Sequence, residues 1–215
     1  LRLDENSAVT LIKIKSGDIS EKDIAKETLK ELVVNKILVK DDDIELTKFK
    51  MLKHYNRMED SVLSLTIAPT LACNLHCSYC FEQKHPNIFM KDDTEDAIIN
   101  FIKDHKNAKY IHVTWFGGEP LLYFDRIVSL TKKIKAIQTI KKYEAEIITN
   151  GVNIDADKAS AFSDLGIRTV HVTIDGLKSI HNERRVGNRH ENTFGKIIHG
   201  LDILAQYDNI SKTIR

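Results

Sequence analysis

Three cysteines are the residues of this chain best suited to unusual chemistry, and they lie close together at Cys73, Cys77 and Cys80. No others occur among the 215 residues. A disulfide framework uses an even number of cysteines spread along the chain, so an odd cluster does not suit one. Clustered thiols with no secretion signal ahead of them read as a metal site in a reducing compartment. The spacing is C-x-x-x-C-x-x-C, written here as Cys73-Asn-Leu-His-Cys77-Ser-Tyr-Cys80. Thiolates are the soft ligands that iron–sulfur clusters take, and a cubane cluster has four irons to ligate. Three cysteines leave one iron without a protein ligand, and an open position is what a reactive metal site keeps. The competing reading is a closed zinc knuckle with His76 or His85 as a further ligand. Zinc motifs pair two short-spaced doublets across a longer gap, and no second doublet exists here. Buried thiols with no metal are the remaining alternative.

The elements that must hold this loop follow from the periodicity. Residues 62–68 read as a strand that runs directly into the cysteines. Beyond the loop, strands at 110–116, 145–150, 167–174 and 211–215 alternate with helices at 94–106, 124–140, 155–165 and 192–205. Alternation of this kind, joined by right-handed crossovers, means a parallel sheet with helices. The loop therefore sits at the carboxyl end of the sheet, where α/β ligand sites collect. Strands covered on both faces should be almost continuously apolar. Here Ser64 and Thr66, His112 and Thr114, and His171 and Thr173 interrupt the apolar residues at every second position. The polar set then faces a concave side that holds water or ligand. The fold class is accordingly α/β, an open or partial parallel (β/α) barrel around a polar cavity. His112 and His171 line that cavity, but hydrogen-bonded interior histidines are commoner than catalytic ones. Lys132, Lys133, Lys135, Lys141 and Lys142 read as a solvated outer face.

Residues 1–60 stand apart as a small N-terminal α+β segment, ahead of a core at 61–215. An extended start at 8–15 leads to the turn Ser16-Gly17-Asp18. A helix follows at 20–35 with Ser20 and Asp23 as start candidates. Ile37-Leu38-Val39 reads as a short strand and 46–57 as a second helix, a layout resembling a winged-helix piece. A formal charge of +1 and near balance of acid and base in this segment argue against nucleic acid as a partner. No apolar run approaches the roughly 18 residues of a membrane span, so no membrane is expected either. The expected location is cytoplasmic. The first residue is Leu1, which points to a fragment, so the sequence leaves open whether a targeting segment precedes it.

The cysteine loop resembles the cluster loop of the radical S-adenosylmethionine (SAM) superfamily. Its surroundings, Thr66-Ile-Ala-Pro-Thr-Leu-Ala-Cys and Tyr79-Cys-Phe-Glu, are similar to the peptide- and protein-modifying branch. That branch includes anaerobic sulfatase maturases and maturases of ribosomally made peptides, often carrying a C-terminal cysteine-rich SPASM domain. The resemblance continues in order through Gly117-Gly118-Glu119-Pro120, Thr149-Asn150-Gly151, Thr173-Ile174-Asp175-Gly176 and His181-Asn182-Glu183-Arg184-Arg185. It implies a [4Fe–4S] cluster on Cys73, Cys77 and Cys80, with SAM chelating the open iron. Reductive cleavage of SAM would then release a 5′-deoxyadenosyl radical that abstracts a substrate hydrogen.

Each motif has a part to play under that resemblance. Gly117 and Gly118 let the backbone approach a ligand, and Glu119 or a nearby carbonyl accepts from the SAM ammonium; Pro120 closes the motif. Asn150 offers an amide to a ribose hydroxyl, the bland alternative being a plain Asn-Gly turn. Thr173 offers a hydroxyl to ribose or carboxylate where many relatives have Ser. Arg185 matches the arginine that pairs with the SAM carboxylate, a task suited to its bidentate geometry, with Arg184 as the alternative. Tyr79 matches the aromatic position beside the adenine, or packs under the loop.

The implied reaction is oxidative modification of a peptide or protein side chain, such as thioether formation. The alternatives are formylglycine formation by an anaerobic sulfatase maturase and, from another class, a non-catalytic zinc-binding interaction module. Partners would be the peptide or protein substrate and an electron donor such as flavodoxin or ferredoxin. A winged-helix segment at 1–60 would bind a leader peptide by strand addition. The family core has six strand–helix units, and this chain ends near the fifth strand with no cysteine after Cys80. It is therefore expected to be a fragment, inactive towards substrate.

Overall fold

In the computed structural model, residues 5–35, 37–39, 42–58, 60–82, 86–187 and 192–215 are described. The chain divides into two units, Leu1–Glu59 and Asp60–Arg215.

The first unit is helical: Glu5–Ser16 (α1), a single turn at Glu21–Asp23, Lys26–Val34 (α2) and Asp42–Met58 (α3). The extended start expected at 8–15 is helix instead. Its alternating β-branched residues suggest a strand, but Ser16-Gly17-Asp18 is a helix C-cap. Asp18 N–H donates to the Lys13 carbonyl at 2.9 Å and Gly17 N–H to that of Ile14 at 3.1 Å, the bonds that close a helix with a left-handed residue. Asp23 does not start the long helix. Its carboxylate turns back to accept from the Ser20 N–H and hydroxyl, both at 2.8 Å, and α2 begins three residues later. The strand expected at Ile37-Leu38-Val39 is also absent, because Ile37 and Leu38 spend their N–H groups on the Leu32 carbonyl at the end of α2. Among the described residues this unit contains no strand, which removes the α+β and winged-helix reading.

The second unit is built on a five-stranded sheet of Val62–Ile67 (β1), Tyr110–Trp115 (β3), Lys142–Thr149 (β4), Ile167–Val172 (β5) and Ser211–Ile214 (β7). The spatial order is β1-β3-β4-β5-β7 and every pairing is parallel. Strand order that follows the chain without reversal is that of a (β/α) barrel, not of a doubly wound sheet. Helices Asp92–Asp104 (α4), Phe124–Lys135 (α5), Ala156–Asp164 (α6) and Thr193–Leu204 (α8) form the crossovers. Lys141 and Lys142 lie beyond the end of α5, and Lys142 belongs to β4. Lys133 of the basic stretch ion-pairs with Glu95 and Asp96, each at 3.0 Å.

Burial divides the strands as the alternation requires. Ile111, Val113, Trp115, Ala145, Ile147, Val170 and Val172 are buried against Ile102, Ile127, Leu130, Phe162 and Ile197 of the helices. Each fully buried aliphatic of this size contributes about 1.5–3 kcal/mol. On the other face Ser64 and Thr66 are exposed, and His112, Thr114, Glu146 and His171 half-buried. Thr114 donates to Glu146 Oε1 at 2.8 Å, and His171 Nε2 lies 3.0 Å from Glu146 Oε2. No helix among the described residues is long and apolar enough to cross a membrane.

Three short elements were not anticipated. Leu75–Cys77 (β2) lies within the cysteine loop, and Arg185–Gly187 (β6) follows the short helix Lys178–Arg184 (α7). The two strands pair antiparallel, with Cys77 opposite Arg185 and Leu75 opposite Gly187.

Candidate cofactor site

The cysteines rise from the carboxyl end of β1 and bound a cavity of about 170 Å³ at the top of the sheet. Gly117 and Gly118, after β3, form part of its wall, with Asn150 after β4 and Thr173 after β5. Tyr79 and Arg185 complete it. Residues more than 100 positions apart are thus brought together by four strand ends and the β2–β6 ribbon.

All three thiols are half-buried and unpaired. Burial pushes the Cys73 thiol up to about 11 and raises that of Cys77. Binding a metal through these thiols would require their deprotonation. Asn150 Nδ2 lies 3.9 Å from Cys73 Sγ and donates to Asn74 Oδ1 at 2.7 Å. Its Oδ1 accepts from the Val152 N–H at 3.0 Å. The amide expected to reach a ribose hydroxyl is thus engaged in holding the cysteine loop and lies against the Cys73 sulfur.

Glu119 and Pro120 do not line the cavity. Glu119 is fully buried: Oε1 accepts from the Leu121 N–H at 3.0 Å and the Thr149 hydroxyl at 2.7 Å, and Oε2 accepts from the Asn150 N–H at 2.7 Å. Burial raises its pKa against the pull of these donors. Its carboxylate accepts from three donors that fix the tip of β4. Pro120 is buried at the first position of a tight helical turn capped by Glu119, where a missing N–H costs nothing. The glycines serve backbone packing as well as the cavity. A Cβ on Gly118 would stand 2.3 Å from the Ala72 carbonyl oxygen, and one on Gly117 2.5 Å from that of Thr70. These approaches permit the Gly118 N–H to Thr70 and Glu119 N–H to Ala72 bonds, at 3.2 and 2.8 Å, that tie this loop to the entry of the cysteine loop.

Arg185 is buried and Arg184 exposed. Tyr79 Oη accepts from Arg185 Nη1 at 2.5 Å and donates to Asp175 Oδ1 at 2.9 Å. Lost hydration at its hydroxyl, first, and the bond to Asp175 push the Tyr79 phenol up to about 12, although the side chain as a whole is exposed. Arg185 Nη1 is also 3.7 Å from Asp175 Oδ1. Asp175 was not singled out by sequence reasoning, although it belongs to a quoted motif; its position at a strand's carboxyl end was the available signal. Phe116 and Ile148 also line the cavity and were missed. Phe116 shares the side-chain parity of His112 and Thr114 and was detectable on that ground.

The donor set fits a cluster better than a single ion. Among the described residues, no three His, Cys, Asp or Glu side chains are gathered closely enough to hold one metal ion. Three thiols ringing a cavity instead suit a cluster in which each binds a different iron. His85 lies outside the described residues. Next to the thiols, Arg185 Nε and Asp175 Oδ2 are buried with no partner among the described residues, the condition of a wall that awaits a polar ligand.

Comparison with known proteins agrees with this geometry. The family model described as "Radical SAM superfamily" matches residues 67–214. A GTP 3′,8-cyclase of Clostridium perfringens is 37% identical over 117 residues, covering 53% of this chain and 35% of the cyclase. The cysteine-type anaerobic sulfatase-maturating enzyme of the same species is 29% identical over 157 residues, covering 67% of this chain and 41% of the maturase. Among solved structures, native anSMEcpe with bound AdoMet and Cp18Cys peptide superposes with a TM-score of 0.60 at 28% identity, over 71% of this chain and 42% of that one. The chain thus spans well under half the length of these relatives.

Proposed function

The chain belongs to the radical SAM superfamily, and from that premise we propose that it provides the hydrogen-abstracting core of an enzyme that oxidises a peptide or protein side chain. The cofactors are a [4Fe–4S] cluster and SAM, which when bound supply the electron and the 5′-deoxyadenosyl radical for that abstraction. The observation that carries the proposal is the meeting of three thiols and a buried arginine on one cavity at the carboxyl end of an open parallel sheet.

Within it, Cys73, Cys77 and Cys80 hold three irons and leave the fourth facing the cavity. Arg185 pairs with the SAM carboxylate, Thr173 and the Gly117-Gly118 backbone border the ligand, and Tyr79 flanks it. Glu119 and Pro120 act at one remove by fixing the strand tips, and Asn150 by holding the cysteine loop. The zinc-module reading is set aside, because the chain belongs to a superfamily whose cofactors are an iron–sulfur cluster and SAM. A peptide substrate is favoured over a nucleotide because the solved maturase structure that matches 71% of this chain holds a bound peptide beside AdoMet. The product is proposed to be a thioether. Formylglycine is the second reading, favoured by the similarity to a cysteine-type sulfatase maturase. A cytoplasmic flavodoxin or ferredoxin would supply the electron.

The first test is anaerobic reconstitution with iron and sulfide, reduction, and electron paramagnetic resonance with and without SAM. A cubane signal that changes on adding SAM is expected, with 5′-deoxyadenosine formed in the presence of reductant. Absence of a cluster would overturn the proposal. The helical unit at 1–59 is proposed to recognise the peptide, no longer by strand addition. Its deletion should weaken peptide binding and spare SAM cleavage, and unchanged peptide binding would discard this role.

A further inference from the structure

An arginine that recognises a carboxylate side-on must present its Nε edge, and a free side chain with four rotatable bonds does not hold that orientation unaided. In this protein something else fixes it. Arg185 Nη1 donates to Tyr79 Oη at 2.5 Å, Tyr79 Oη donates to Asp175 Oδ1 at 2.9 Å, and Asp175 Oδ1 stands 3.7 Å from Nη1. The two charged side chains are each 9% exposed. Asp175 is itself anchored, since its N–H donates to His181 Nδ1 at 3.2 Å. Burial, first, holds the His181 imidazole below its ordinary range, so it stays a neutral acceptor. The opposite edge of the guanidinium is left over: Nε is buried with no partner among the described residues.

The geometry assigns Asp175 as the positioning residue of the ligand-carboxylate clamp: with Tyr79 as its relay it occupies Nη1 of Arg185 and so turns the Nε edge towards the carboxylate of SAM. The assignment rests on the functional reading above and adds a residue to it. It also explains why the clamp is stitched to the cluster loop. Cys77 pairs with Arg185 across the β2–β6 ribbon, Ser78 N–H donates to the Arg184 carbonyl at 3.1 Å, and Tyr79 lies between two cluster ligands. The loop that binds the cluster therefore sets the orientation of the arginine, and one rigid unit presents both to the same ligand.

A double-mutant cycle on the reconstituted chain tests this, with the equilibrium affinity for SAM as the readout and iron content as the control for an intact loop. Asp175→Asn keeps the shape and loses the charge. It should weaken SAM binding about tenfold or more in the Arg185 background, the scale of a charge-assisted bond. With Arg185→Lys, whose point charge has no edge to orient, the same substitution should change affinity by less than about twofold. Tyr79→Phe, a milder change, should follow the same pattern with a smaller loss. An equal loss in both backgrounds would mean that Asp175 supports the pocket generally, and no loss in either would mean that it supports nothing; each overturns the assignment while leaving the functional reading intact. A wild-type protein that takes up iron and fails to bind SAM would overturn both.

Discussion

Replacing Glu119 with alanine removes the acceptor for three donors at once, the Leu121 and Asn150 N–H groups and the Thr149 hydroxyl, all within 3.0 Å of a carboxylate with no solvent exposure. A buried donor left unpaired costs about 1–3 kcal/mol. The three share one carboxylate and are not additive, and relief of the buried charge offsets part of the loss, so about 3 kcal/mol is expected. For a urea dependence of about 2 kcal/mol per molar, that moves the midpoint down by about 1.5 M. Glu119→Gln keeps one acceptor oxygen but turns an amide towards a donor, and should cost about half as much. The pH dependence supplies an independent check. Burial raises the pKa of Glu119 in the folded protein above its ordinary value of 4.5. The native state then binds more protons than the unfolded state above that value, and stability falls as pH rises towards the folded pKa. The stability advantage of wild type over Glu119→Gln should accordingly shrink as pH is raised from about 4.5. A midpoint shift below about 0.5 M for alanine would refute the account of three bonds. An advantage that grows with pH would show that the donors outweigh burial.

Cys77→Ala should abolish cluster incorporation, since the loop offers no spare thiol; iron retained at the wild-type level would overturn the ligand assignment. Gly118→Ala should destabilise the second unit by about 3 kcal/mol, because the new Cβ meets the Ala72 carbonyl oxygen at 2.3 Å in rigid backbone. Chemical denaturation measures it, and a neutral result would show that the turn can shift. Glu146 is held below its ordinary range first by its hydrogen bond to His171. Its contribution is present above the ordinary carboxylate range and lost as pH falls through the folded pKa, so Glu146→Gln should flatten the acid limb of a stability–pH curve. An unchanged limb would refute this.

The sequence by itself determined the five main strands and four crossover helices of the second unit and the chemistry of its loop. Period-2 alternation in strands and helical stripes between them place apolar side chains against one another whatever the surroundings, so sheet and crossovers were readable to within a few residues. The cysteine spacing was equally legible, because ligand softness and number are properties of residue type. Short segments without long-range partners were misread. At 8–15 the β-branched alternation was compatible with either period, and the hydrogen bonds closing at Gly17 and Asp18 decide for helix.

Only the tertiary structure decided what each motif residue does with its polar atoms. Glu119 and Asn150 have side chains that could serve a ligand, yet strand ends converge so that their oxygens and amide are taken up by Leu121, Thr149, Asn74 and Val152. Arg184 and Arg185 are chemically identical and adjacent. Arg184 closes helix α7 and is exposed, whereas Arg185 opens the ribbon opposite Cys77 and is buried. Asp175 had no visible role until Tyr79 and Arg185, 96 residues and 10 residues away in the chain, were brought within bonding distance of its carboxylate. Residue type limits the bonds a side chain can make, and the fold selects among them by placing partners that are remote in sequence.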